Sequence, residues 1–501
     1  MHLAFLNPQG NFDPRDSYWT EHPDFGGQLV YVKQVALATA ALGHRVDIIT
    51  RQIIDPQWPE FNQPIDQYQE APGVRIIRLP AGPPEFLVKE ELWPYLVNSW
   101  VPNIIKFYHE ECNLPDAITT HYGDGGLCGV LIEAQTGIPF TFTAHSLGAQ
   151  KLDQLKPDQE NLADIDRRFH FSRRLFAERL SMNRSAINIT STLQERFEQY
   201  NHPAYWGAVD VKDDRRFAVI PPGVNLAIFG SEVRTPNEIN IRTHVQEYLQ
   251  RDLSPDRQNL PVIIASSRLE PKKNHLGLVI AYAHNPHLQQ IANLVIITGA
   301  LDNPLRDDLV ANPTERQVLA QIRQVVNENN LWGKISAFAV QGQVALAAVY
   351  RMLAERRSVF SLTALYEPFG LAPLEAAAAG LPLVVTQNGG PSESLRDGNK
   401  EFGVLVDPAN PTDIGHGLER VLADPECWYS FAKLGQQRVL DRYTWDRTAH
   451  AYIKIIEEVL VNPEAHRNKL KLLPHPYFNH AIPEVDINLD ELWNVYKGKE
   501  L

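Results

Sequence analysis

The chain has 501 residues, 44% of them hydrophobic and 21% charged, and a formal net charge of −13. That length is too great for one hydrophobic core and calls for two or three domains. The acidic balance argues against a general binder of nucleic acid or of anionic membranes, though not against a local basic pocket.

The first elements are ordinary α/β punctuation. His2–Leu6 reads as a strand, Gln28–Leu42 as a helix stopped by Gly43, and Arg45–Thr50 as the next strand, a βαβ unit with a long first loop over residues 7–27. The apolar run at the amino terminus is too short for a signal peptide and lacks a basic leader. Strand patterns recur at Val74–Leu79, Ala117–Thr120, Phe140–Thr143, Ala186–Thr190 and Phe217–Ile220, with helical stretches between several of them. Such alternation means a parallel sheet with helices on both faces. Pro221-Pro222-Gly223-Val224 then punctuates the chain, and a hinge is expected near 221–225, followed by a polar segment to about residue 260. A second series of strands reads at Val262–Ser266, Leu294–Thr298, Ile335–Val340, Val359–Leu362, Leu383–Thr386 and Val404–Val406. From about residue 446 the chain is helical and then Pro-rich. The expected division is 1–222 and 223–445 as two Rossmann-like domains, and 446–501 as a helical segment packing back on the first.

No window approaches the length of a membrane span, and a cytoplasmic protein is expected. The cysteines, Cys112, Cys128 and Cys427, are odd in number and scattered, so neither a disulfide framework nor a zinc site is indicated.

In the first half, Gly26-Gly27-Gln28 opens a helix, where paired glycines let a ligand approach free backbone amides. This is not GxGxxG, and Asp47 lies inside the second strand rather than at its end, which disfavours a dinucleotide site. Lys89 and Tyr122 are candidates from loops at strand ends. His145 follows the strand Phe140–Thr143 and should point into a cleft, with Ser146 and Gly148 beside it. No G-x-S-x-G elbow is present, so serine nucleophilic catalysis is not indicated. Lys151, Arg173 and Arg174 come next. If they converge they form a pocket for a phosphate dianion. Otherwise they are an exposed basic helix face, paired along the helix with residues such as Glu178. Asp164-Ile165-Asp166 follows no strand and reads as a solvated chance DxD, so no metal site is expected.

The second half carries the most informative stretch, Glu367-Pro368-Phe369-Gly370-Leu371-Ala372-Pro373-Leu374-Glu375. Two carboxylates flank a Pro/Gly turn between a buried strand and a helix stopped by Gly380. The turn falls at the carboxyl end of a parallel strand, where open α/β sheets bind ligands. Arg268 and Lys273 lie on the loop after Val262–Ser266, and an Arg fork with a Lys point charge suits a diphosphate. Read alone, that loop is rather a solvated surface turn, and it is the Glu367/Glu375 turn on the same face that favours the site reading. Gln387-Asn388-Gly389-Gly390-Pro391 reads either as a border of the same site or as plain turn chemistry.

Together these motifs resemble retaining glycosyltransferase family 4 over nearly the whole chain. The residues that carry the resemblance are Asn7-Pro8-Gln9-Gly10, Pro23-Asp24-Phe25-Gly26-Gly27-Gln28, His121-Tyr122-Gly123-Asp124-Gly125, His145-Ser146-Leu147-Gly148, the Arg268/Lys273 loop and the Glu367/Glu375 turn. The resemblance implies the GT-B fold: α/β, two Rossmann-like doubly wound parallel-sheet domains facing a cleft, with C-terminal helices crossing back to the N-terminal domain. Within the family it is to the sucrose-forming members, and it implies transfer of glucose from UDP-glucose to D-fructose 6-phosphate with retention of configuration. Arg268 and Lys273 would then steady the donor diphosphate and Glu375 the ribose. Glu367, with the amides of Phe369, Gly370 and Leu371, would hold the glucosyl hydroxyls. Val340 and Gln341 would meet the base, and Gly27 would border the donor. His145 would sit near the 6-hydroxyl and the reacting centre, making His145, Glu367, Arg268 and Lys273 the implied catalytic set. Gly27, Gln28, Lys89, Tyr122, Ser146, Lys151, Arg173 and Arg174 are similar to an acceptor sugar-phosphate site.

No cofactor is implied as required, with Mg2+ at most a non-essential stimulant. The implied partners are the two small-molecule substrates and a separate phosphatase for the product, with no nucleic acid and no membrane. Two alternatives stay open: an enzyme acting on free fructose, and a non-catalytic nucleotide-sugar-binding module. The latter would be expected to lose one of Glu367, Arg268 or Lys273, and all are present.

Overall fold

A computed structural model describes the chain except residues 20–24, 26, 310, 469, 500 and 501. Of the motifs quoted above, Pro23, Asp24 and Gly26 therefore lie outside the described residues. The chain divides into two units, Met1–Pro221 with Thr448–Leu501, and Pro222–Arg447.

The first unit is built on eight strands: β1 (His2–Leu6), β2 (Arg45–Arg51), β3 (Ile65–Gln67), β4 (Val74–Leu79), β5 (Ala117–His121), β6 (Phe140–Thr143), β7 (Ile187–Thr190) and β8 (Phe217–Val219). Their order in the sheet is β3-β4-β2-β1-β5-β6-β7-β8. Every pairing is parallel except β3 with β4. The inner strands β1 and β5 are buried along their whole length, as apolar runs covered by helices on both faces must be. The order reverses between β1 and β5, which is the point where an open α/β sheet leaves a crevice at its carboxyl ends. The edge strand β3 is short, with Ile65 and Gln67 of its three residues exposed, so no apolar pattern marks it.

The long helix Trp445–Val461 brings the chain back into this unit. There the Tyr452 hydroxyl lies 2.9 Å from that of Tyr31 and 3.0 Å from Thr143 Oγ1, at the end of β6. The last helix, Leu489–Tyr496, opens with a capping box between Asn488 and Glu491 and buries Leu492 and Val495 in the same core.

The second unit has strands β9 (Val262–Ser266), β10 (Asn293–Thr298), β11 (Ile335–Ala339), β12 (Val359–Leu362), β13 (Leu383–Thr386), a small antiparallel hairpin of β14 (Arg396–Asp397) and β15 (Lys400–Glu401), and β16 (Val404–Val406). Its main sheet runs β11-β10-β9-β12-β13-β16, all parallel, and reverses between β9 and β12. The segment expected to be merely polar contains the helix Glu238–Asp252. Val245 and Leu249, spaced i,i+4, are its buried stripe, and most other positions face solvent, so its mean composition hides its periodicity. It is also fastened by a buried ion pair, Glu238 to Arg351 at 2.9 Å.

Candidate functional site

In the second unit the reversal between β9 and β12 sets two loops side by side. Asn274 fixes the first. It has φ 55° and caps the helix His275–Ala283 with its side chain, and its amide donates to the carbonyls of Thr363 (3.0 Å) and Pro408 (2.8 Å). The Leu365 amide reaches back to the Lys272 carbonyl at 2.9 Å. The outcome is a 2.7 Å ion pair between Lys273 Nζ and Glu367 Oε2. An Asn just ahead of an apolar helical run is a capping signal, and Asn274 fills that role here. Arg268, on the same loop, is turned to Glu270 at 3.1 Å and its side chain is 77% exposed.

Glu367 is held on its other side by the loop after β13. Its amide donates to the Asn388 carbonyl at 3.1 Å, and its carbonyl accepts from the Gly390 amide at 3.0 Å. The helix Leu371–Ala378 starts from Gly370 at φ 93°, with no side chain capping it, so the amides around Phe369, Gly370 and Leu371 open the helix as expected. Glu375 lies on that helix, mostly buried, and its carboxylate has no hydrogen-bond partner among the described contacts. Burial pushes its acid up to about 7. Val340 and Gln341 follow β11 at the same carboxyl edge, the Val340 amide bonded to Thr298 and the Gln341 side chain exposed.

In the first unit the reversal lies between β1 and β5. Gly27 opens the helix Gly27–Ala41 facing open space, where an added Cβ would meet nothing within 4 Å. Gln28 beside it is buried, and its side-chain amide nitrogen has no hydrogen-bond partner among the described residues. Tyr122 is the first residue of the helix Tyr122–Thr136, at φ 62°. His145, just past β6, has φ 55° and sits against the rings of Tyr31 (4.8 Å) and Tyr122 (5.4 Å). Its Nε2 lies 2.9 Å from Nδ1 of His121, which opens the His121–Gly125 motif but was given no role of its own. Burial alone presses the His145 imidazole down to about 3, and His121 well below its usual value with help from His145. Two neutral rings therefore share one hydrogen.

The cations divide. Arg174 donates from Nε to Glu178 at 2.8 Å and from Nη2 to the Ser146 carbonyl at 2.7 Å. Burial opposes its charge, but the Glu178 carboxylate holds it above its ordinary value. Lys151 reaches solvent on one side, yet desolvation and then the charges of Arg174 and Lys89 press its ammonium down to about 8. The charges of Arg174 and Lys89 thus act on Lys151, opposed by those of Glu178 and Glu90, and Arg174 is tied to Ser146. Arg173 does not join them. Its guanidinium grips Asp486 of the C-terminal segment, at 3.1 and 2.5 Å, and stacks 4.8 Å over Tyr477. Asp166 also departs from its solvated reading, because it accepts the Ser172 amide and hydroxyl at 2.7 and 2.8 Å. Asp47, inside β2, is buried and held down to about 2: burial opposes this, but bonds from Arg75 and His2 prevail.

Residues 3–249 match the family model described as the first GT-B domain of sucrose synthase, and residues 249–438 match glycosyl transferases group 1. A probable sucrose-phosphate synthase of Thermosipho melanesiensis is 40% identical over 93% of this chain and 98% of its own length. The chain belongs to the sucrose-phosphate synthase family. It is a glycosyltransferase of GT-B fold. A probable sucrose-phosphate synthase of Beta vulgaris is 31% identical over 91% of this chain, which spans 48% of that longer relative. The solved sucrose-phosphate synthase of Thermosynechococcus elongatus shares the fold at a TM-score of 0.62 and 24% identity, over 92% of this chain and 99% of that one. Among the described residues no helix is long and apolar enough to cross a membrane.

Proposed function

We propose that the protein makes sucrose 6-phosphate from UDP-glucose and D-fructose 6-phosphate. The observation that carries this reading is Arg174, fixed on the Ser146 carbonyl at 2.7 Å, with the charges of Arg174 and Lys89 both acting on Lys151. A phosphorylated acceptor needs such a group and free fructose does not. The donor is assigned to the second unit, where Lys273, Arg268 and the amides at the start of the helix Leu371–Ala378 neutralise the departing diphosphate. In the reaction the bond from C1 of glucose to the diphosphate oxygen breaks. The acceptor hydroxyl oxygen bonds to C1 on the same face, and its proton passes to the leaving diphosphate. No protein carboxylate serves as a nucleophile in this scheme, unlike a retaining glycosidase. Glu367 holds glucosyl hydroxyls, Glu375 the ribose, and His145 is the catalytic candidate of the first unit.

The same reading takes the protein as cytoplasmic and without a required cofactor, and assigns the product to a separate phosphatase. Chelation by EDTA should leave turnover within about twofold, since the fixed protein donors carry the diphosphate charge.

The deciding assay offers UDP-glucose with equal fructose and fructose 6-phosphate and resolves sucrose from its phosphate. Sucrose 6-phosphate as the dominant product supports the reading. Sucrose alone would make the protein a sucrose synthase, and no product would favour a nucleotide-sugar-binding module.

A further inference from the structure

Glu178 is the most fully engaged buried carboxylate near the acceptor candidates, and no substrate role accounts for it. It lies on the helix Phe171–Arg184 and is 0% exposed. Its two oxygens accept Arg174 Nε at 2.8 Å, the Gly148 amide at 3.0 Å and the Tyr205 hydroxyl at 2.5 Å. The Tyr205 oxygen in turn accepts the Ala149 amide at 3.0 Å. Gly148 and Ala149 are the first residues of the helix Gly148–Gln154, which carries Lys151. One carboxylate therefore orients the Arg174 guanidinium and holds the start of the helix that presents Lys151.

The neighbouring sequence is shaped to admit it. A Cβ on Gly123 would stand 2.9 Å from Glu178 Cγ, and a Cβ on Gly148 would stand 3.0 Å from Arg174 Nε. Gly123 and Gly126 thus mark the close approach of the helices Tyr122–Thr136 and Phe171–Arg184, while Gly125 faces the Leu6 carbonyl at the end of β1. With Nε on Glu178 and Nη2 on Ser146, the guanidinium is fixed and Nη1 makes no hydrogen bond among the described contacts. An acceptor-only carboxylate suits three donors, whereas a glutamine would set its own N–H against one of them.

We propose that Glu178 is a positioning residue for the acceptor phosphate, acting through Arg174 and the Gly148 helix start. This rests on the assignment of fructose 6-phosphate as acceptor. The test is Glu178→Gln with steady-state kinetics on both substrates, alone and combined with Arg174→Ala. The expected result is a rise of about tenfold or more in KM for fructose 6-phosphate, with kcat and the KM for UDP-glucose within about threefold. In the Arg174→Ala background the same substitution should add less than twofold, because residues acting as one unit are not additive. An unchanged acceptor KM in a folded Glu178→Gln protein overturns the proposal, as does full additivity. If Glu178→Gln does not fold, Tyr205→Phe removes one donor to the same carboxylate. It should raise the acceptor KM selectively, and equal rises for both substrates would overturn the proposal. A wild-type enzyme that does not prefer fructose 6-phosphate over fructose would overturn the parent assignment and this one with it. A preference retained in wild type beside an unmoved Glu178→Gln would sink this one alone.

Discussion

Lys273 Nζ and Glu367 Oε2 stand 2.7 Å apart, although 94 residues separate them in the chain. Each comes from the loop after one of the two strands that flank the sheet reversal in the second unit, so the pair stands at the crevice of this sheet's carboxyl edge. Both side chains are mostly but not fully buried, at 18% and 15% exposure, so the pair is of modest worth to stability. Its value is electrostatic preorganisation. Lys273→Ala should lower kcat/KM for UDP-glucose by about 100- to 1,000-fold, the range for losing one fixed donor to a developing anion. The thermal midpoint should stay within a few degrees. A loss under threefold would remove Lys273 from the donor site.

If Glu375 holds the ribose, as proposed, donor binding should depend on pH. Burial raises its acid from 4.5 to about 7, and the ionised form, with both oxygens accepting and a full charge, holds ribose hydroxyls more tightly than the neutral acid. UDP affinity should therefore weaken as pH falls through 7, by about tenfold between pH 8 and pH 6. Glu375→Gln should lose that slope, leaving only the titration of UDP itself. Stability has the opposite sign. Between pH 4.5 and 7 the folded chain holds the proton that the unfolded chain has released, so this group's contribution declines as pH rises. Calorimetric titration at pH 6, 7 and 8 measures the first effect, and denaturant melts of wild type and Glu375→Gln measure the second.

Neighbouring arginines should behave differently. Arg174 is held by Glu178 and Ser146 next to Lys151, so Arg174→Ala should raise the KM for fructose 6-phosphate by about 10- to 100-fold, the worth of a charge-assisted contact. Arg173 is spent on Asp486 and Tyr477. Arg173→Ala should leave that KM within about threefold. It should instead loosen the C-terminal segment, seen as faster amide exchange over residues 475–499. Equal KM effects from the two substitutions would contradict the division of roles.

The repeating strands were legible because each is a short apolar run bounded by turn residues. β1, β4, β6, β9, β12, β13 and β16 fall where their patterns put them. The edge strand Ile65–Gln67 was not, because three residues with Ile65 and Gln67 exposed leave no periodic signal. Candidate residues at strand ends were legible for a topological reason: parallel strands bring their carboxyl-end loops to one edge whatever their separation in sequence. What failed was side-chain direction. Adjacent Arg173 and Arg174 point about 100° apart around a helix, so they cannot share one partner. The acid that claims Arg173 lies 313 residues away in a segment with no strong pattern of its own. Glu178 was visible only as an i,i+4 partner of Arg174, since sequence does not say that the face they share is buried.

Gly389 shows how closely the Glu367 turn is built. It sits at φ 98°, a left-handed conformation that a side chain strains, and pairs with Glu367 in an isolated parallel bridge. A Cβ there would run into the carbonyl oxygen of Glu367, a backbone atom already committed to the Gly390 amide. Gly389→Ala therefore adds backbone strain of about 1–3 kcal/mol and displaces the turn that carries the catalytic candidate. Because the sheet beneath does not depend on this loop, the protein should still fold, with a midpoint lower by several degrees. The KM for fructose 6-phosphate should hold within about threefold, while kcat/KM for UDP-glucose falls by tenfold or more. A matched loss on both substrates would mean global damage, and wild-type donor kinetics would mean that the turn tolerates displacement and Glu367 is not held for catalysis.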